Sequence, residues 1–325
     1  MKFSSESGVV FEYIQKYAPV RPVEIVTGLG LSKKNTYKHL SKLLKSRRIQ
    51  KVSNKGKVFY SIYKDFPIVS DSLNREDLII EKKYIYVSPS GEIIRGINGF
   101  SEWTQKNGLS FEKEKQLYVK RLKELNKVKK NQLLSGKGKV LSGNDDLDID
   151  ELFFSDFYTF DHFGKTMLGQ LVYVAKGSQN IDLIYEIVSY IRPAISFIIE
   201  KYNIQNICFI PPTIDRKIQI MDILEDALSL KLDKIRIEKV SNKTKIAQKT
   251  LKKLEDRIIN ASSTISVRPN QKINGNVLII DDATGSGATL NETSKKIRII
   301  ADKKIKIIGY SIVGSYKGFD VISEV

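Results

Sequence analysis

Asn276-Val-Leu-Ile-Ile-Asp-Asp-Ala-Thr-Gly-Ser-Gly-Ala-Thr-Leu290 is the stretch from which the rest of this 325-residue chain is read. Val277–Ile280 are four apolar residues in a row, the pattern of a parallel strand buried on both faces. Asp281 and Asp282 stand at its carboxyl end, a run of small residues follows, and Asn291–Ile300 reads as a helix. Strand, small-residue loop and helix start together aim several backbone N–H groups at one point, and the helix dipole favours an anion there. Two carboxylates beside such a pocket suit sugar hydroxyls or a Mg2+ ion. The order is not that of a Walker loop, which needs Gly-Lys-Ser/Thr, nor the Gly-x-Gly-x-x-Gly of a dinucleotide site.

Composition narrows the class. Hydrophobic residues make up 41% and charged residues 28%, enough for real cores and too even for general disorder. The most apolar long segment, around Ile187–Ile199, is broken by Arg192 and Pro193, so no membrane span is expected. Residues 1–30 lack the order of a signal peptide. One cysteine, Cys208, and two histidines exclude a disulfide framework and make a histidine-based metal site improbable, so a cytoplasmic protein is expected. The formal charge of +17 is uneven: residues 1–65 hold 14 Lys/Arg against 4 Asp/Glu, or +10. That asymmetry points to a polyanion partner.

The basic segment has its own pattern. Gly8–Ala18 places Val9, Val10, Tyr13, Ile14 and Tyr17 at helical spacing. Pro22–Thr27 fits a short helix ended by Gly28 and Gly30, and Ser32 caps a longer one with Tyr37, Leu40, Leu43 and Leu44 as its inward face. Ile49–Val52 and Val58–Ser61 alternate like two strands joined through Asn54 and Gly56. This order, with Leu31-Ser-Lys-Lys-Asn-Thr-Tyr-Lys-His-Leu40, resembles a winged helix-turn-helix. The resemblance implies DNA as partner, met by Lys33, Lys34, Asn35, Lys38 and His39 on the recognition helix and by Lys55 and Lys57 on the wing.

The opening stretch resembles the 5-phosphoribosyl-1-pyrophosphate (PRPP) motif of type I phosphoribosyltransferases. The resemblance implies that Asp281 and Asp282 hold the ribose 2- and 3-hydroxyls and, with the substrate, a Mg2+ ion. Ala283, Thr284, Gly285, Ser286, Gly287, Ala288 and Thr289 would then take the 5-phosphate. Asn206–Ile210 reads as the first strand of the same fold, and the loop after it would meet pyrophosphate through Pro212, Thr213, Arg216 and Lys217. Ile218–Leu230 reads as the next helix and Lys234–Val240 as a strand. The segment Ser241–Asn260 lies where this fold has a mobile flap, with Lys243, Lys245 and Arg257 as candidates to close over pyrophosphate. Its residue spacing, with Phe160–Lys176, is similar to the ComF branch, over roughly residues 155–316. That branch usually begins with a cysteine-rich zinc module, where this chain has the winged-helix pattern.

Between these regions the sequence is least patterned. Tyr84–Val87 and Glu92–Arg95 read as a hairpin, and Trp103 reads as core. Phe111–Leu134 reads as a charged helix with a weak stripe at Leu117, Val119, Leu122 and Leu125, fit for a spacer, a dimer contact or a further basic contact. Ser135–Lys139 and Ser142–Asp150 read as a linker. The expected fold class is α/β: a type I phosphoribosyltransferase fold (parallel sheet flanked by helices, with hood) at 151–325, after a small winged-helix α+β domain at 1–65 and a middle segment at 66–150. The implied function is Mg-dependent phosphoribosyl transfer from PRPP to a nucleobase or other nitrogen nucleophile, in a possible homodimer placed on DNA. Two alternatives stand beside it: a PRPP-sensing transcription regulator of the purine-repressor type, and an effector in a phage-defence or mobile-element system.

Overall fold

A computed structural model describes residues 6–45, 48–54, 57–62, 74–136, 147–240, 251, 253–268, 270–301 and 304–315. They belong to two compact units, Met1–Leu73 and Asn74–Val325.

The first unit has three helices, α1 (Glu6–Tyr17), α2 (Pro22–Leu29) and α3 (Lys33–Lys45), then an antiparallel hairpin of β1 (Ile49–Asn54) and β2 (Lys57–Ile62). Pro22 opens α2, the Arg21 N–H is accepted by the Glu24 carboxylate at 2.8 Å, and Gly30 closes the helix at φ 65°. Val10, Ile14, Ile25, Leu40, Leu43 and Ile49 form the core. Val20 and Tyr60 exchange backbone hydrogen bonds of 2.9 and 2.7 Å, which ties the α1–α2 connection to the hairpin. One expectation is corrected: Tyr37 is exposed and Thr36 is buried in its place. The 3.6-residue period explains it, since 36, 40 and 43 share a face and 37 lies about 100° away.

The second unit begins with α4 (Arg75–Lys83), the hairpin β3 (Ile85–Val87) and β4 (Ile93–Arg95), α5 (Gly96–Lys106) and α6 (Phe111–Val128). Then come β5 (Leu134–Ser135), β6 (Glu151–Phe157), a 3-10 turn (Asp161–Phe163), α7 (Met167–Ser178), α8 (Ile181–Lys201) and β7 (Ile204–Phe209). The rest is α9 (Ile220–Leu228), β8 (Asp233–Lys234), β9 (Ile237–Lys239), α10 (Leu254–Thr264), β10 (Ile265–Val267), β11 (Asn276–Thr284), α11 (Ala288–Ile300) and β12 (Ile307–Gly314). Six strands form one sheet in the order β5-β6-β12-β11-β7-β8, and only the β5 edge runs antiparallel. The expected strand over 234–240 divides instead: β8 joins this sheet, while β9 pairs with β10 in a separate ribbon.

Strand alternation splits the core in two. Leu278 and Ile280 of β11 pack with α7, α8 and α9 on one face, while Val277 and Ile279 pack on the other with Leu290 and Ile297 of α11. Every residue of β12 is buried, as its near-continuous apolar run requires. The chain leaves β7 for β8 on one side and returns to β11 on the other. The carboxyl ends of β7 and β11 therefore flank a topological switch point, where open α/β sheets form their binding crevice.

Residues 74–136 are part of this unit, not a separate spacer. Tyr84, Phe100, Trp103 and Tyr118 share a core with Leu152, Phe160, Phe163 and Val277. Tyr118 meets Tyr84, Phe160 and Phe163 edge-on at 5.0–5.7 Å between ring centres, a favoured aromatic geometry. Trp103 is core, as expected, but α6 ends at Val128 and turns Tyr118 and Val119 inward, leaving Leu117 exposed. No helix among the described residues is long and apolar enough to cross a membrane.

Candidate functional site

The aspartates lie within β11, which continues to Thr284, so alternation sends Asp281 and Asp282 toward opposite faces. At the strand end the chain passes Gly285, Ser286 and Gly287 into α11, with Gly287 at φ 74°, a left-handed conformation that suits glycine. The first backbone bond at this helix start runs from Asn291 N–H to Gly287 carbonyl at 2.9 Å. The N–H groups of Ala288, Thr289 and Leu290 precede it, so the helix itself supplies them no acceptor. Asn291 is buried and its Oδ1 accepts from the N–H groups of Asp148 and Ile149, which fixes α11 beside the entry to β6.

A cavity of about 190 Å³ opens at the switch point. Both aspartates and Ala283–Leu290 line one wall, Ile210–Ile214, Arg216 and Ile218–Met221 after β7 line another, and Lys176, Lys239 and Arg257 complete it. Lys176 Nζ lies 2.5 Å from Asp282 Oδ2, and Lys239 Nζ donates to Thr213 Oγ1 at 2.5 Å. Burial, and then the neighbouring Asp282 charge, push the Asp281 carboxyl well above the usual carboxylate range. Lys239, Lys176 and the Asp282 N–H, which donates to Asp281 Oδ1 at 2.8 Å, pull the other way and do not offset it. Burial lowers Lys239, against the two aspartates, and it lowers Arg257 as well. The cavity thus holds two carboxylates and four cationic side chains in a confined space, an arrangement suited to a polyanion that also offers hydroxyls.

Most of the sequence-selected residues converge here, with differences. Thr284, Ser286 and Thr289 all line the cavity, but the Thr284 hydroxyl is hydrogen-bonded to Ser311 across the sheet. Pro212, Thr213 and Arg216 line it, while Lys217 is exposed and outside the lining. Arg257 is not on a loop that closes: it is a buried residue of α10 whose Nε donates to the Leu251 carbonyl at 2.8 Å. Lys243, Lys245 and Lys55 lie outside the described residues. In the first unit Lys33, Lys34, Asn35, Lys38 and Lys57 are exposed. His39 is half-buried and its Nδ1 is 2.8 Å from Ser7 Oγ, so it ties α3 to α1.

Two site residues escaped the sequence reading, and each had a signal. Lys176 follows Leu168 and Val172 at steps of four, so it continues the buried stripe of α7. Lys239 follows Ile235 and Ile237 at steps of two, a charge at an inward position of a strand.

Among solved structures, the chain is similar to adenine phosphoribosyltransferase from Leishmania tarentolae, with 12% identity and a TM-score of 0.25 over 48% of this chain and 90% of that one. No family model matches the chain. No curated protein matches it either.

Proposed function

We propose that the second unit binds PRPP and transfers its phosphoribosyl group, as a ComF-like type I phosphoribosyltransferase, and that the first is a winged helix that holds DNA. The observation that carries the reading is one cavity at the β7/β11 switch point that joins the Asp281–Asp282 pair to the small-residue loop and the start of α11. In it the 5-phosphate takes the N–H groups of Ala288 and Thr289 and the hydroxyls of Ser286 and Thr289. Asp281 and Asp282 accept from the ribose hydroxyls. Thr213, Arg216, Lys239 and Lys176 receive pyrophosphate.

Transfer breaks the bond from the ribose anomeric carbon to pyrophosphate, whose oxygen leaves with the electron pair, and forms the bond from the acceptor nitrogen to that carbon. The cationic walls stabilise charge growing on the leaving group, and the fixed 5-phosphate orients the sugar. Two carboxylates fit Mg2+, which keeps several waters and takes other donors from ligand phosphates. When bound, Mg2+ neutralises part of the charge that the ligand brings. Asp281 and Asp282 would hold the ion, and its remaining donors would be ligand oxygens and water.

A second reading, regulation by PRPP sensing without transfer, is favoured by the exposed basic face of α3. Calorimetric titration of PRPP with Mg2+, with and without a DNA duplex and with pyrophosphate release followed, separates the two. Saturable binding that Asp282→Asn abolishes supports the site, and no binding by the unaltered protein overturns it. Pyrophosphate release on adding a base assigns an enzyme. Binding that shifts DNA affinity without turnover assigns a regulator, because the coupling is reciprocal.

A further inference from the structure

We propose that the outer face of α6 is a second surface for the phosphate backbone of duplex DNA, carried by the unit that contains the cavity. Lys113, Gln116, Lys120, Lys123 and Lys127 recur at steps of three and four and are all exposed. On a helix they fall within an arc of about 80° and extend over about 21 Å, some six base steps of duplex. Lys130, also exposed, continues the row past the helix end.

What distinguishes this row from an ordinary solvated face is where the carboxylates of α6 go. Glu112 is held by Lys115 at 2.9 Å, Glu124 by Arg121 at 2.5 Å, and Glu114 by His162 at 2.7 Å. None of the five lysines of the row makes an ion pair among the described residues. The row is also rigid at its base. Tyr118, Val119 and Leu125 anchor the opposite face in the core, and the buried Lys115 ammonium is 3.1 Å from Asp77 of α4. A helix that lies in a membrane surface inserts its apolar face, and here that face is already occupied by the protein. A straight row of unneutralised cations with no free apolar face complements a linear polyanion. Duplex DNA is the occupant because the first unit presents a like set of exposed lysines on α3, for which DNA is the ligand proposed above.

The test uses the full chain and a fluorescein-labelled duplex of about 30 base pairs, with anisotropy titrations across salt concentrations. Lys120→Gln/Lys123→Gln/Lys127→Gln should flatten the log–log salt slope by about 2 to 3, at about 0.9 for each phosphate no longer neutralised. It should also weaken binding by about 10- to 100-fold near 0.15 M salt. An equal loss of charge at scattered exposed positions, Lys231→Gln/Lys272→Gln/Lys306→Gln, should change the slope by less than about 1. Melting temperatures report that each variant is folded. An unchanged slope in the α6 triple, or the same loss in the scattered triple, overturns the proposal. So does a loss confined to duplex RNA or to phosphatidylserine vesicles. Lys33→Gln/Lys34→Gln, measured in parallel, reports on the first unit alone, so failure there leaves the α6 result standing.

Discussion

Replacing Asp281 by Asn should stabilise the free protein and destroy its ligand response. The ionised Asp281 carboxylate is held at a cost, since burial and the Asp282 charge together outweigh Lys239, Lys176 and the Asp282 N–H. Asparagine keeps an oxygen to accept that N–H at 2.8 Å and removes the charge. Each unit by which a folded-state pKa is raised represents about 1.4 kcal/mol of destabilisation once the group is ionised in both states. The expected gain near neutral pH is therefore on the order of 1–3 kcal/mol, or roughly 2–10 °C in melting temperature for a unit of this size. The sign fixes the window: below the ordinary carboxylate value of about 4 the group is protonated folded and unfolded, and the variant gains nothing. The advantage must grow as pH rises through the raised value and then level off. Thermal melting from about pH 4 to 8.5, with and without PRPP and Mg2+, reads both effects. Destabilisation, or a difference that does not vary with pH, would refute the charge balance drawn from the site.

Other perturbations test neighbouring parts. A cation drawn to Asp281 must displace its proton, so binding of Mg2+ with PRPP near neutral pH should release protons, seen as calorimetric heats that depend on buffer ionisation enthalpy. The release should fade at higher pH and vanish in Asp281→Asn. Lys176→Met removes the ammonium 2.5 Å from Asp282, so it should lower the melting temperature by several degrees while raising affinity for Mg2+ alone, measured by metal titration. Gly169 sits in the first turn of α7, where a Cβ would run into the Tyr158 carbonyl oxygen. Gly169→Val should thus cost more than about 2 kcal/mol in denaturant unfolding and weaken PRPP binding by shifting Lys176.

How far the sequence speaks depends on whether a pattern is local. The β11–loop–α11 segment is readable because its apolar run, small residues and helix start are contiguous, and the structure keeps them in that order. The α1–β2 order is readable for the same reason, down to Gly30, which closes α2, although Gly28, also expected to end it, lies inside the helix. What escapes is set by partners far along the chain. The length of β11 beyond Ile280 follows from pairing with β12, where Thr284 lies opposite Gly314, and no local pattern announces that. The charge-rich sequence of α6 hides a docked helix because Lys115, one of its four buried residues, is neutralised by Asp77, 38 residues away. Tyr118 likewise counts as core only once Phe160 and Phe163 arrive from beyond the sheet's first strands.

The carboxylates of the free site already face cations, and that shapes how it must fill. Lys176 already occupies Asp282, and Lys239 donates to Thr213 while feeling the charge of both aspartates. A polyanion entering alone recruits those ammonium groups to its phosphates and leaves the carboxylates facing each other with less compensation. A divalent cation entering alone takes the carboxylates and leaves the lysines crowded by a like charge. Arriving together, each replaces the partner that the other removes, so neither side of the pair is left bare. Cation and polyanion should therefore bind with positive coupling, and the factor by which Mg2+ strengthens PRPP must equal the factor by which PRPP strengthens Mg2+. Lys176→Met weakens that coupling, because one of the exchanges on which it depends no longer has to occur.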